Sequence, residues 1–408
     1  MASTADRPLS GFAAFITLLL CFCGAVVEGI DLQSMGLAAP KMGPEFHLSR
    51  PELGLVLSAM PLGLFFGAFI GGRIADALGR KTALMVAMAV FGAFQLATTV
   101  APGYEPLIGI RFLCGLGLGG ALPNLIALTS EAARGKGGLL NVVITAAGMP
   151  TGGGFASYIA YLGGEHGDWR TIFYIGGIAP LVLAPIMALA LPESRRFQEA
   201  RAAAKATGEK VNTLSVLFGG GRAPASVLLW IAFFATTLIT YLLLNWLPVL
   251  MGSKGFSKAD AALIQIPFNA GSAAGSILLG WMMQMRPGRA VLLLCYVGLA
   301  AFLVGLAGVG HDLVMASVVV AMVGAFLLGA QYILYGLSPS YYRTATRGTG
   351  TGAAVAAGRL GSAVGPSLAG YLLGAGKSAT DVLQSMLPVA AVAAAAAMLL
   401  LFFKQADE

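Results

Sequence analysis

The chain has 408 residues, 57% hydrophobic and only 11% charged, with a mean hydropathy of +0.82. A soluble globular domain carries about a quarter of its residues charged, so that class is excluded. The net charge of +7 follows membrane sidedness and requires no nucleic-acid partner.

Runs long enough to cross a hydrocarbon core of about 30 Å fall at 12–36, 52–72, 82–101, 106–129, 139–162 and 170–191. After a polar stretch at 193–225 they resume at 226–250, 260–283, 290–309, 313–337, 349–374 and 380–403. The first run exceeds a signal-peptide core. Although Cys23-Gly24-Ala25-Val26 has the look of a weak cleavage site, the run reads as a retained span. It holds Glu28 and Asp31, three residues apart and so on roughly one helix face. A charge at mid-membrane costs roughly 2.5–3.5 kcal/mol, which makes an intramembrane acid a functional candidate.

Small residues recur at helical spacing: Gly63, Gly67 and Gly71 in span two, Gly115 and Gly119 in span four, and Gly271 and Gly275 in span eight. They are expected to let helix backbones approach in lipid. Arg111 in span four and Arg359 in span eleven are the only arginines placed inside spans. The four cysteines also lie in spans and read as small packing residues, and His47, His166 and His311 fall in loops. Neither a metal site, nor a disulfide, nor a cofactor is expected.

Of the 25 basic residues, 17 fall in inner segments and 6 in outer loops when the N-terminus is placed inside. That bias predicts two cytoplasmic termini. Sliding the sequence by 208 residues lays Ser49 on Ser257, Gly72 on Gly280 and Lys81 on Arg289, and spans five and eleven share Ala-Ala-Gly at 146–148 and 356–358. A parallel repeat of six spans is thus expected, with an N-terminal half over 1–192, a linker over 193–225 and a C-terminal half over 226–408.

Gly72-Arg73-Ile74-Ala75-Asp76-Ala77-Leu78-Gly79-Arg80-Lys81 resembles the loop signature of the major facilitator superfamily, as do Arg111-Phe112-Leu113-Cys114-Gly115 and Leu191-Pro192-Glu193-Ser194. Within it, Glu28-Gly29-Ile30-Asp31, Pro123-Asn124-Leu125-Ile126-Ala127-Leu128-Thr129-Ser130-Glu131, Asn245-Trp246-Leu247-Pro248 and Gly358-Arg359-Leu360-Gly361 resemble the aromatic acid:proton symporters, especially the hydroxyphenylpropionate branch. The sequence departs from that family in carrying Glu28 where many relatives have aspartate, Ala77 after the motif aspartate, and a short glycine-rich loop at 131–138. The resemblance implies an all-α membrane protein with the major facilitator fold. Its twelve transmembrane helices would form two six-helix halves related by a pseudo-two-fold axis, with substrate bound near the bilayer midplane.

It further implies a bacterial inner-membrane importer, acting as a monomer on a small aromatic carboxylate together with protons. Arg359, near mid-membrane, is the first choice for the substrate carboxylate because a guanidinium fork matches it bidentately. The alternative is a helix–helix salt bridge or a carbonyl contact. Asp31 is the first choice for the transported proton and Glu28 the second. Arg111 lies at similar depth and is expected beside one of these acids, with Glu28 the favoured structural partner.

Ring contacts are sought among Tyr241, Asn245, Gln265, Asn269, Gln331, Tyr332 and Tyr335, each of which also has an ordinary packing reading. At the inner face the resemblance implies a gate, with Asp76 against the start of span eleven and Arg80 bridging to Glu131. An exporter of drugs or metabolites is the alternative function, disfavoured by a central arginine. An enzyme would need a nucleophile–base or metal constellation, and no span histidine exists to supply one. A receptor would bring a larger output domain.

Overall fold

The computed structural model describes residues 11–121, 124–125, 128–129, 137–191, 217–219, 221–285, 288–342 and 347–403. Among the described residues there are twelve α-helices. In chain order they are α1 Gly11–Glu45, α2 Arg50–Leu78, α3 Arg80–Thr98, α4 Tyr104–Leu118, α5 Gly137–Gly163 and α6 Arg170–Ala190, followed by α7 Ala223–Ser253, α8 Lys258–Met285, α9 Gly288–Gly308, α10 Leu313–Leu337, α11 Arg347–Gly374 and α12 Ala379–Leu400. Nine of them, α1–α3, α6–α10 and α12, are long and apolar enough to span a bilayer. The others are α4, described over 15 residues, and the glycine-rich α5 and α11. This is a multi-pass membrane protein.

The helix starts are written in the sequence. Ser49 and Glu52 form a reciprocal cap on α2: the Ser49 amide donates to Glu52 Oε2 at 2.8 Å, and the Glu52 amide donates to Ser49 Oγ at 3.4 Å. On α8, 208 residues later, the Asp260 amide donates to Ser257 Oγ at 3.0 Å, and the Ser257 hydroxyl donates to Asp260 Oδ2 at 2.7 Å. Ser378 and Asp381 complete a capping box on α12, and Asp312 caps α10 by accepting from the Val314 and Met315 amides. Each cap satisfies amides that the first helical turn leaves without partners.

Helix α1 runs to Glu45, nine residues past the end expected from hydropathy, with Pro40 and Pro44 inside it.

Contacts gather the chain into two compact units. The first comprises Met1–Ser34, Leu62–Ala156 and Asp168–Glu209; the second comprises Met35–Pro61, Ser157–Gly167 and Lys210–Glu408.

In the first unit, glycines bring backbones together at two crossings. Gly29 of α1 lies against the Met149 backbone of α5, and Gly152 of α5 against the Val26 carbonyl of α1. Gly63 and Gly67 of α2 lie against the Phe112 and Leu116 carbonyls of α4. An added Cβ at any of these would overlap a backbone atom, so only glycine permits the approach.

The second unit repeats both crossings. Gly361 of α11 meets the Phe234 carbonyl of α7, and Gly271 and Gly275 of α8 meet Ala321 and Ala325 of α10. Val26 and Phe234 are separated by 208 residues, as are Gly63 and Gly271; Gly152 and Gly361 are separated by 209. The sequence repeat is therefore a repeat of contacts.

The same unit ties down the turn-side ends of α1 and α2. Gly36 reaches the Leu244 and Asn245 carbonyls of α7, and Gly370 of α11 reaches the Arg50 carbonyl of α2. Ser367 Oγ donates to Ser58 Oγ at 2.7 Å. Lys41 Nζ donates to the Gly164 and Gly167 carbonyls at 2.6 and 2.8 Å, and Glu165 accepts the Lys258 amide of α8 at 2.7 Å.

Candidate functional site

In the first unit, α1, α3, α4 and α6 converge on a fully buried ion pair. Arg111 Nη2 of α4 donates to Asp31 Oδ1 at 3.2 Å, with both side chains 0% exposed. Arg111 Nη1 donates to Gln95 Oε1 of α3 at 2.6 Å. The guanidinium carbon lies 5.6 Å from the centroid of the Phe173 ring on α6, within cation–π range. Cys114, one turn along α4, directs its thiol toward Gln95 Oε1 at 3.6 Å and accepts from Arg111 Nη1 at 3.7 Å. Asp31 Oδ2 is buried and has no hydrogen-bond partner among the described residues. One carboxylate oxygen thus holds the arginine.

Two charges out of water need each other. Removing one member of such a pair costs about 3–5 kcal/mol, because the survivor stays buried. Glu28 is also buried, 2% exposed. It flanks Gly29, whose contact with α5 fixes the rotation of α1 at this level.

In the second unit, Arg359 of α11 is half-buried, and its Nη1 donates to the Tyr241 hydroxyl of α7 at 3.2 Å. Tyr335 of α10 packs edge-to-face on Phe233 of α7 at 5.0 Å, and Tyr332 stands 6.3 Å from Tyr335, ring centre to ring centre. Gln331 accepts from the Thr240 hydroxyl at 2.9 Å, linking α10 to α7. Guanidinium, phenol, aromatic rings and amide are the groups a ring-bearing carboxylate calls for.

The remaining expected contacts divide. Asn245 donates to the Tyr241 carbonyl at 2.8 Å and Asn269 to the Gln265 carbonyl at 2.9 Å, each within its own helix. Gln265 is 0% exposed, and neither atom of its amide has a partner among the described residues. Tyr332 is exposed and Tyr335 half-buried. Arg80 is half-buried at the first residue of α3. Glu131 and the side chain of Asp76 lie outside the described residues.

The sequence reading missed Gln95 and Thr240. The signal for Gln95 was a lone amide inside the third apolar run.

The Major Facilitator Superfamily pattern matches residues 21–366. The chain belongs to the major facilitator superfamily. Across 395 residues it is 39% identical to the 3-(3-hydroxy-phenyl)propionate transporter of Escherichia coli strain K12, covering 96% of this chain and 95% of that one. It is 33% identical to the 4-hydroxybenzoate transporter PcaK of Pseudomonas aeruginosa over 435 residues, covering 98% and 95%.

Solved structures of the fold include the D-xylose-proton symporter, at TM-score 0.76 and 18% identity, covering 93% of this chain and 96% of that one. The nucleoside transporter NupG, solved as a point mutant, matches at TM-score 0.78 and 14% identity over 96% and 100%. Membership in the superfamily agrees with the loop signature at Gly72–Lys81 and with the repeated helix crossings.

Proposed function

We propose that this facilitator imports a small aromatic carboxylate together with a proton by alternating access. The substrate is hydroxyphenylpropionate-, benzoate- or hydroxybenzoate-like. In this reading the protein is a monomer of the bacterial inner membrane with both termini in the cytoplasm, and its six-helix halves, 1–192 and 226–408, are joined by a cytoplasmic linker. The observation that carries the reading is the buried Asp31–Arg111 pair, within a chain matched almost end to end by aromatic-acid transporters.

Protonation of Asp31 at its open Oδ2 removes the charge that Arg111 neutralises, so the pair exists in two electrostatic states. A transporter needs such a bistable element if proton binding is to bias its conformations. Arg359, with Tyr241 beside it, receives the substrate carboxylate, while Phe233, Tyr335 and Tyr332 offer apolar walls to the ring. Asp76, Arg80 and Glu131 close the inner face in the outward-open state.

A monoanion entering with one proton moves no net charge. With two protons, each 100 mV would add about 2.3 kcal/mol to accumulation. The test is uptake of 3-(3-hydroxyphenyl)propionate, 4-hydroxybenzoate and benzoate into proteoliposomes holding the purified protein. An imposed pH gradient, acidic outside, should drive uphill accumulation of at least one of them, and a potassium-diffusion potential alone should not. Downhill equilibration only, under every gradient, would overturn proton coupling. Strong uphill uptake on potential alone would overturn the one-proton stoichiometry.

A further inference from the structure

The geometry points to a second binding site for the aromatic acid, a cavity of about 850 Å³ at the α1–α2, α5–α6 and α7–α8 turns of the second unit, where Arg50 receives the carboxylate before Arg359 does. This rests on the proposed import of an aromatic carboxylate, in whose orientation these turns face outward. The size falls within the range of ligand pockets, about 300–1,000 Å³. The floor is apolar: Ala39 of α1, Leu53 of α2, Val249 of α7 and Phe256 of the α7–α8 turn line it and are buried. The mouth is polar, lined by the exposed His47, Arg50, Glu165 and Lys258.

The charges at the mouth do not cancel. Glu165 is already engaged: it accepts the Lys258 amide at 2.7 Å and stands 3.7 Å from the Lys258 ammonium. Arg50 makes no side-chain hydrogen bond or ion pair among the described residues. One guanidinium is therefore left in excess above an apolar floor. That combination suits a carboxylate carried on a ring. A small anion would leave the floor uncovered, and an uncharged ring would leave the arginine without a partner.

The cavity also lies in line with the Arg359 site. Helix α7 supplies Pro248 and Val249 to the cavity, then Asn245, where its backbone meets Gly36 of α1, and then Tyr241, whose hydroxyl takes the Arg359 hydrogen bond. At 1.5 Å per residue, Pro248 and Tyr241 stand about 10 Å apart along the helix. The α1–α7 crossing at Gly36 falls between the two sites. Open to water and resting on one exposed arginine, the cavity holds the acid more weakly than Arg359 does, because exposed charge pairs are screened.

The experiment uses Ser253→Cys in the purified full chain, since Ser253 is exposed and lines the cavity. Its rate of labelling by a methanethiosulfonate is followed as 3-(3-hydroxyphenyl)propionate is added. The parent chain, with three buried cysteines and the half-buried Cys23, gives the background. The acid should protect the new thiol in a saturable way, and propionate or benzyl alcohol at the same concentration should not. Protection should persist when Arg359→Lys is added, and adding Arg50→Gln instead should raise the half-protecting concentration about tenfold. Protection that vanishes with Arg359→Lys and ignores Arg50→Gln would mean that the thiol reports movement driven from the Arg359 site, which overturns the proposal. Equal protection by propionate or benzyl alcohol overturns it too. No protection at all, in a parent that accumulates the acid in proteoliposomes, overturns this site and leaves import standing. A parent that accumulates none of the aromatic acids overturns import, and the waiting site falls with it.

Discussion

The two arginines of the membrane interior live in opposite settings. Arg111 is sealed from solvent, charge-paired with Asp31, braced by Gln95 and laid against Phe173. Arg359 is half-buried and hydrogen-bonds to a neutral phenol. The first setting pairs its charge within the protein. The second keeps part of its side chain exposed. Under the proposed function the two settings would do different work: coupling for Arg111 with its acid, and substrate recognition for Arg359. Both stand beside equivalent helix crossings, at Gly29–Met149 and Gly152–Val26 for one and Gly361–Phe234 for the other. One scaffold, used twice, thus holds two arginines in different settings.

The contrast breaks most sharply at Arg359. Arg359→Lys keeps the charge but loses the fork, and truncating a desolvated charged contact costs about 2–5 kcal/mol. Binding of 3-(3-hydroxyphenyl)propionate to the purified variant, followed by calorimetry, should weaken by about 100-fold while the protein still inserts in the membrane. Near-normal binding would remove Arg359 from the carboxylate site.

The crossings come next. Gly29→Ala and Gly361→Ala each place a methyl group against a backbone that cannot move aside. Overpacking of this kind costs about 1–3 kcal/mol, so both variants should lose thermal stability in detergent, and by similar amounts if the crossings are equivalent. A stable Gly361→Ala beside an unstable Gly29→Ala would mean that the repeat is sequence likeness without shared packing.

The smallest effect falls on the phenol. Tyr241→Phe removes one hydrogen bond, worth about 0.5–1.5 kcal/mol. It should raise the KM for uptake a few-fold and leave the maximal rate and its pH dependence unchanged. A shifted pH profile would make Tyr241 part of the coupling machinery and blur the division between the arginines.

Much of this architecture was legible in the sequence, because membrane spans advertise themselves. Hydropathy located the helices, and the glycine spacing foretold close crossings. Hydropathy ended the first span at 36, whereas α1 continues through Pro40 and Pro44 to Glu45.

The pairing at Arg111 was not legible. Glu28 and Asp31 lie on nearly the same helix face, and the sequence reading favoured Glu28 as the structural partner. The structure shows an ion pair with Asp31. What fixes the choice is the rotation of α1 set by Gly29 against Met149, a contact between residues far apart in the chain. Gln95 escaped notice for a related reason: a lone amide in an apolar run has no chemistry until a neighbouring helix supplies Arg111.

The measurement that reaches the centre of this account compares binding and accumulation in Asp31→Asn. An amide is nearly isosteric with the carboxyl group but cannot cycle a proton. The account predicts that the purified variant binds 3-(3-hydroxyphenyl)propionate within about threefold of the parent, since a change below about 1 kcal/mol is expected at a site it does not touch. It also predicts that the variant still exchanges substrate in counterflow yet fails to accumulate it uphill under a pH gradient. Accumulation by Asp31→Asn in proportion to the imposed pH gradient would contradict the account and pass the proton to Glu28.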